Sequence, residues 1–191
     1  MSSTGVRTSD TDPIRVDWLT GIDLAPGRGK IGLTFAPGKS GPAYYGPPWK
    51  RDLDKDLDRL VGEYGIELLV CLMQSNEIRQ WKIEGLFEAA QRRKIIAIHD
   101  PVEDLSPPTL EQARRLVGLS FATARAGRNL AIHCRGGLGR TGTVAACCYV
   151  AQAVEPAEAI RRVRAARPGS IETKEQERFV EEYFAARPYE E

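Results

Sequence analysis

The stretch from Ala131 to Gly142, AIHCRGGLGRTG, places a cysteine, three glycines, an arginine and a threonine at a spacing that can work on a tetrahedral oxyanion. The apolar run Leu130–His133 predicts a buried strand that delivers Cys134 to its carboxyl end. The five residues Arg135, Gly136, Gly137, Leu138 and Gly139 separate it from Arg140, and Thr141 and an apolar helix follow. Such a turn can curl so that its N–H groups converge on one point. The glycines allow the positive φ angles and close approach that this cradle needs. The helix N-terminus adds its partial positive charge.

Cys134 is expected at the floor of this cradle. Convergent donors, the helix N-terminus and Arg140 all favour its thiolate, so its pKa is expected below the free value of ~8.5. A thiolate facing a phosphate is a nucleophile for in-line displacement. Arg140 offers a planar fork matched to two phosphate oxygens, a geometry lysine lacks. Thr141 is expected to donate its hydroxyl to the sulfur and stabilise it as a leaving group. The leaving oxygen needs a proton, and the proline-rich segment HDPVEDLSPP offers Asp100, Glu103 and Asp104. Asp104 is the first choice and Asp100 its main rival. His133 is expected to orient the cysteine loop through its ring nitrogens.

The surrounding elements must position these groups. Ile14–Leu19 and Lys30–Phe35 predict an opening hairpin, followed by an irregular loop around Ser40–Trp49. Leu53, Leu57, Leu60, Val61 and Tyr64 recur at helical spacing up to Gly65. Ile66–Leu72 and Ile95–Ile98 predict buried strands, with one helix from Glu77 to Arg93 between them. Further helices are expected over Thr109–Ala126, Thr143–Val154, Pro156–Arg167 and Thr173–Ala186, the second of them apolar almost all round and therefore central. Strands alternating with helices predict a single α/β domain, with a mostly parallel sheet flanked by helices on both faces. Ligands in such folds bind at the carboxyl ends of the strands.

HCRGGLGRT fits the His-Cys-x5-Arg-Ser/Thr signature, and on it the chain resembles the cysteine-dependent protein phosphatases, the protein tyrosine and dual-specificity superfamily. The Gly-Leu-Gly-Arg turn and HDPVED are similar to the kinase-associated phosphatases within it, whose loop reads His-Pro-Ile-Ala-Asp. That resemblance places Asp104 on the family's general acid. SIETKEQ resembles the family's Gln-Thr-x-x-Gln element: Thr173 and Gln176 match, and Glu172 stands in place of the first Gln. It implies that Gln176 helps place the hydrolytic water. The likeness covers roughly residues 50–187. It implies a phosphomonoester hydrolase working through a phosphocysteine, with a phosphorylated protein or peptide as substrate and no metal or cofactor. The alternatives are a phosphoinositide or other small-molecule phosphatase, or a phosphate-recognising module with little turnover. In some relatives a second cysteine protects the nucleophile, a role Cys71 is placed to take, although a small core residue is the plainer reading. Cys147 and Cys148 read as core.

Composition narrows the classes further. The 191 residues carry 27 Lys+Arg against 26 Asp+Glu, a net charge of +1, which gives no footing for a nucleic-acid or membrane-surface binder. No apolar run approaches the ~20 residues of a membrane helix. Residues 1–13 are expected to form a disordered tail without a secretory signal, and 14–191 one phosphatase domain, monomeric and cytoplasmic. Four cysteines, Cys71, Cys134, Cys147 and Cys148, do not suggest a disulfide framework in a chain this long. Arg161, Arg162, Arg164 and Arg167 are expected on a solvated face, with Arg167 the one placed to meet a second substrate anion.

Overall fold

In the computed structural model, which describes residues 5–24, 29–43 and 46–186, the apolar runs form one five-stranded sheet. In chain order the strands are β1 (Asp17–Trp18), β2 (Ile31–Phe35), β3 (Ser40–Gly41), β4 (Trp49–Lys50), β5 (Ile66–Cys71), β6 (Ile96–His99) and β7 (Asn129–Cys134). The main sheet runs β1-β2-β7-β5-β6, while β3 and β4 pair with each other. β2, β7, β5 and β6 are parallel, and β1 closes one edge antiparallel to β2, as the expected hairpin. β7 lies in the middle, which is why its sequence is apolar on both faces.

Seven helices lie among the described residues: α1 (Leu53–Gly62), α2 (Ser75–Gln80), α3 (Leu86–Arg92), α4 (Leu110–Arg125), α5 (Gly139–Val150), α6 (Pro156–Ala166) and α7 (Lys174–Ala185). Alternate strand residues feed two cores. Leu69 and Ala131 pack with Leu57, Leu60, Ile78 and Leu86 of α1–α3. Leu68, Val70 and Ile132 pack with residues of α4–α7 on the other face. All of α5 is buried, so the expected central helix is present but starts at Gly139, directly after the glycine turn. Side-chain caps fix the starts of α1, α4 and α7: Asp52 accepts from Lys55 N, Thr109 from Gln112 N and Thr173 from Gln176 N.

Three expectations are corrected. The single helix over Glu77–Arg93 is two helices, because Lys82 takes φ 57° after α2 and the chain re-enters helix only at Leu86. That turn lets Trp81 and Ile83 both face the core, two residues apart, which a continuous helix does not allow. β6 is not a buried strand but the sheet's open edge, with Ile96 48% exposed. Residues 1–4 of the expected tail lie outside the described residues, but from Arg7 onward the segment is docked. Arg7 exchanges backbone hydrogen bonds with Pro48 and Lys50, and Arg51 donates to the carbonyls of Thr8 and Asp12. The tail reading failed because its partners are backbone groups and a distant arginine, which leave no apolar pattern in the segment itself.

Candidate active site

The carboxyl ends of β2, β5 and β7 meet at one edge of the sheet, and Cys134 ends the central strand there, opposite Phe35 in the register. Its residue is only 3% exposed. The shape of the loop that follows can be read from its carbonyls. Arg135 O accepts from Ala36 N and Lys39 Nζ, Gly136 O and Gly137 O accept from Arg167, and Leu138 O accepts from Gly142 N and Ile171 N. Each of these carbonyls is thus turned outward onto the body. Across a trans peptide the next N–H points the opposite way. The N–H groups of Gly136, Gly137, Leu138 and Gly139 are therefore directed toward the loop's interior.

Glycine is obligatory at the tightest point of this turn. Gly137 has φ 67°, and a Cβ there would lie 2.0 Å from Thr34 O. At Gly139 a Cβ would meet Glu172 Oε2 at 2.5 Å and Gln176 Nε2 at 2.8 Å. Glu172 Oε2 accepts the Gly139 N–H at 2.9 Å, so one inward donor already carries a carboxylate.

Arg140 is 1% exposed and its guanidinium is held by protein acceptors. Glu77 takes two of its donors, at 2.6 and 2.8 Å, and the Val102 carbonyl takes another at 3.0 Å. Asp104 Oδ1 is 2.8 Å from Arg140 Nη2, and its other oxygen is 3.2 Å from Arg135 Nη1. Burial works against the Arg140 charge, but the Glu77 hydrogen bonds and the nearby negative charges of Cys134 and Asp104 outweigh it, so its pKa is raised and it stays charged. For Glu77 burial pushes the carboxyl up, and the Arg140 hydrogen bonds and the Gln74 N–H reverse that, leaving it below the usual value.

The rival acid points elsewhere. Asp100 is bound by Arg115 at 2.8 and 3.1 Å and by Gln112 Nε2 at 2.9 Å, which ties the acid loop to the start of α4. Glu103 is exposed and Asp104 only partly buried. The α7 start reaches the same loop: Thr173 Oγ1 donates to Leu105 O at 3.1 Å and Gln176 Nε2 to Ser106 O at 3.4 Å. Gln176 Oε1 caps α7 by accepting from Glu172 N and Thr173 N.

His133 is fully buried. Its Nδ1 donates to Cys134 O at 3.2 Å and its Nε2 has no partner. Burial pushes its pKa down to about 4, so it is neutral near pH 7. Thr141 Oγ1 is also buried without a partner, so the expected hydroxyl-to-sulfur bond is not formed; the hydroxyl keeps its donor unused within the first turn of α5. Arg167 is corrected. It is 4% exposed and spends its donors on Gly136 O, Gly137 O and Asp17, holding the loop rather than facing a second anion. Arg161 and Arg162 pair with Glu158, while Arg164 holds the carbonyls of Ser170 and Ile171. Burial pushes the Cys71 thiol up to about 12, and Cys148 likewise to about 12, so both are neutral thiols near pH 7; burial also raises Cys147 well above its ordinary value.

Two site residues escaped the sequence reading. Glu77 had a usable signal, because Gln74 and Glu77 carry capping-box spacing directly after β5, at the edge where ligands bind. Lys39 had none beyond its place between Gly38 and Ser40. It is 4% exposed, with Nζ 3.3 Å from Arg135 O.

A buried cysteine ending the middle strand of a parallel sheet, a carbonyl-out glycine turn and a buried arginine at the next helix start define a cysteine-phosphatase type of domain. Residues 50–180 match the family described as PTP-SAK, Swiss Army Knife protein, DSP-PTPase phosphatase domain, and the chain belongs to it. Cyclin-dependent kinase inhibitor 3 of Homo sapiens is 27% identical over 174 residues, which cover 90% of this chain and 79% of that protein. The Rattus norvegicus protein of the same name is 28% identical over 137 residues, 70% of this chain and 64% of its own length, so the match spans just under two thirds of that relative. The crystal structure of kinase associated phosphatase with its catalytic site cysteine changed to serine superposes with a TM-score of 0.79. It is 26% identical, and the match covers 92% of this chain and 98% of that one.

Proposed function

We propose that this protein is a phosphomonoester hydrolase of the protein tyrosine or dual-specificity type, acting through a phosphocysteine at Cys134. The observation that carries this reading is Asp104, which bridges Arg140 and Arg135 beside the cysteine loop. A nucleophile, an oxyanion clamp and an acid thus share one small volume. The family membership and the likeness to kinase associated phosphatase support it.

In the first step a substrate phosphate enters the loop and meets the inward N–H groups and Arg140. The phosphate takes Arg140 Nη2 from Asp104 and frees the acid. Once released, Asp104 takes up a proton from solvent; the Cys134 thiolate then forms the S–P bond as the P–O bond to the leaving group breaks, and Asp104 gives that proton to the leaving oxygen. In the second step the Asp104 carboxylate takes a proton from water. The water oxygen bonds to phosphorus, and Cys134 departs as thiolate. The unpaired Thr141 hydroxyl has its use here, since a buried donor without a partner is costly and a thiolate satisfies it. Gln176, over Gly139, lies where it can help place that water.

The substrate class proposed is a phosphorylated protein or peptide, handled by a cytoplasmic monomer. No helix among the described residues is long and apolar enough to cross a membrane. The test is hydrolysis of an aryl phosphate in the presence of a chelator, followed by a panel of phosphopeptides, phosphoinositides and nucleotides. Cys134→Ser should abolish turnover and still bind tungstate, a tetrahedral dianion. Undiminished turnover in Cys134→Ser overturns the mechanism, and phosphoinositides outpacing phosphopeptides overturns the substrate class.

A further inference from the structure

The segment after β2 runs along the cysteine loop and carries a lysine that the proposed mechanism does not use. Lys39 is buried, and its Nζ sits 4.1 Å from the centre of the Trp49 ring and 4.5 Å from that of Phe35. These two rings are packed against each other, with centroids 5.7 Å apart. The ammonium donates to Arg135 O, the first carbonyl after the nucleophile.

The charges that face it come from every neighbouring element. Arg51, ahead of α1, lies over Phe35 and is paired with Asp56, whose two oxygens accept from it at 2.8 Å each. Arg7 of the N-terminal segment lies over the Trp49 ring, 3.7 Å from its centroid. Arg167, after α6, is paired with Asp17. Arg135 is paired with Asp104, and Arg140 with Glu77 and Asp104. Among the described residues no carboxylate lies within salt-bridge distance of Lys39 Nζ, and the negative group that draws on it is Cys134.

A buried ammonium among arginines has no stable counter-charge of its own. The one anion this site is built to receive is the oxyanion in the loop beside it. We propose that Lys39 is a positioning residue of the cysteine loop whose protonation is coupled to anion occupancy: empty, the site releases its proton, and a bound dianion restores it. The proposal rests on the phosphatase reading of the loop. In its favour, burial first and Arg51 second press the Lys39 pKa down to about 7, while Cys134 pulls it up. A charged Lys39 then draws on Arg135 O, turning the Gly136 N–H further inward. The site thus gains its last positive charge only when there is an anion to hold.

The experiment is titration calorimetry of tungstate into Cys134→Ser, which removes proton exchange at the thiol. It is run in two buffers of different ionisation enthalpy at several pH values. Tungstate stays dianionic across this range, so any proton taken up belongs to the protein. Because the substitution also removes the thiol that raises Lys39, uptake should exceed half a proton per anion at pH 7 and approach one at pH 8. Lys39→Met, which fits the aromatic slot without charge, should abolish uptake and weaken tungstate by about tenfold at pH 7. Lys39→Arg should restore affinity without uptake, which a purely structural role for the side chain does not predict. Equal uptake in Lys39→Met, or none in Cys134→Ser that binds tungstate, overturns the proposal. Loss of aryl phosphate hydrolysis by the wild-type chain would instead overturn the phosphatase reading, so the two failures are distinguishable.

Discussion

Glu77 grips the guanidinium of Arg140 with both carboxylate oxygens, at 2.6 and 2.8 Å, and both residues are buried. The pair fixes the plane of the arginine before any substrate arrives. An oxyanion clamp that is already oriented costs no reorganisation when charge develops on the phosphate. The geometry is a division of labour: Glu77 and Val102 O hold one side of the fork, while Asp104 holds the side that substrate takes over.

Removing that grip should cost both stability and rate. Glu77→Ala leaves a buried guanidinium without its main partner, and the loss of unfolding free energy should be ~3–5 kcal/mol. Its kcat/KM should fall by about 100-fold, a cost comparable to losing one preorganised oxyanion donor. The pair also has a pH signature. The folded Glu77 carboxyl lies below its ordinary value of 4.5, so its contribution is complete above that pH and is lost as pH falls through the lower folded value. Denaturant midpoints and steady-state kinetics read both effects; wild-type kcat/KM in Glu77→Ala would mean that Arg140 is oriented by something else.

His133 makes a prediction in the opposite chemical sense. Its folded pKa is about 4 against an ordinary 6.5, so the neutral ring is what the fold stabilises. That stability is full above pH 6.5 and drains away as pH falls toward 4, by up to ~3 kcal/mol. Chemical denaturation at a series of pH values should show this slope in the wild type. His133→Asn should flatten it, at some cost in midpoint at pH 7, because the bond to Cys134 O is altered. An unchanged slope in the variant would place the titrating group elsewhere.

The two aspartates of the acid loop should separate cleanly. Asp104 faces Arg140 and Arg135, whereas Asp100 is spent on Arg115 and Gln112. Asp104→Asn should slow alkyl phosphates by about 10²–10⁴-fold and p-nitrophenyl phosphate far less, because the nitrophenolate needs little help from an acid. Asp100→Asn should leave that leaving-group dependence intact and lower stability by ~1–3 kcal/mol through weakened charge-assisted bonds. The reverse pattern would exchange the two assignments.

What the sequence made legible, and what it did not, follows from the range of the interactions. The order of strands and helices, the place of β7 and the cysteine loop were readable because each is written in one short segment. Asp104 was singled out by the family resemblance, and its place against Arg140 and Arg135 is visible only in the fold. The outward carbonyls of the loop were not readable, since their partners come from Ala36, Lys39, Arg167 and Ile171, far apart in the chain. Arg167 looked like one of four basic residues on a helix, and only packing shows that it ends the helix facing inward. The helix break at Lys82 was hidden because Trp81, Leu86, Phe87 and Ala90 match one helical face whether or not the chain is interrupted between them. β6 reads as buried because its residues are apolar, but the sheet simply ends there.

Glu172 is the residue at which this chain departs from the resemblance it otherwise follows, and the structure gives the departure a consequence. Its carboxylate accepts the Gly139 N–H, one of the donors that the outward carbonyls direct into the loop. An arriving dianion must therefore either share that donor with a like charge or displace it. Glu172 is an exposed residue, so solvent screens the repulsion and the penalty should be modest. Glu172→Gln keeps an oxygen for the Gly139 N–H and removes the charge. Tungstate should bind it about threefold to tenfold more tightly than wild type, a gain of ~1 kcal/mol, with KM for an aryl phosphate falling in step and kcat nearly unchanged. The gain should shrink at high salt, as a screened surface charge requires. If Glu172→Gln instead binds tungstate no better at low salt, the carboxylate serves only to cap the start of α5 and does not oppose the substrate.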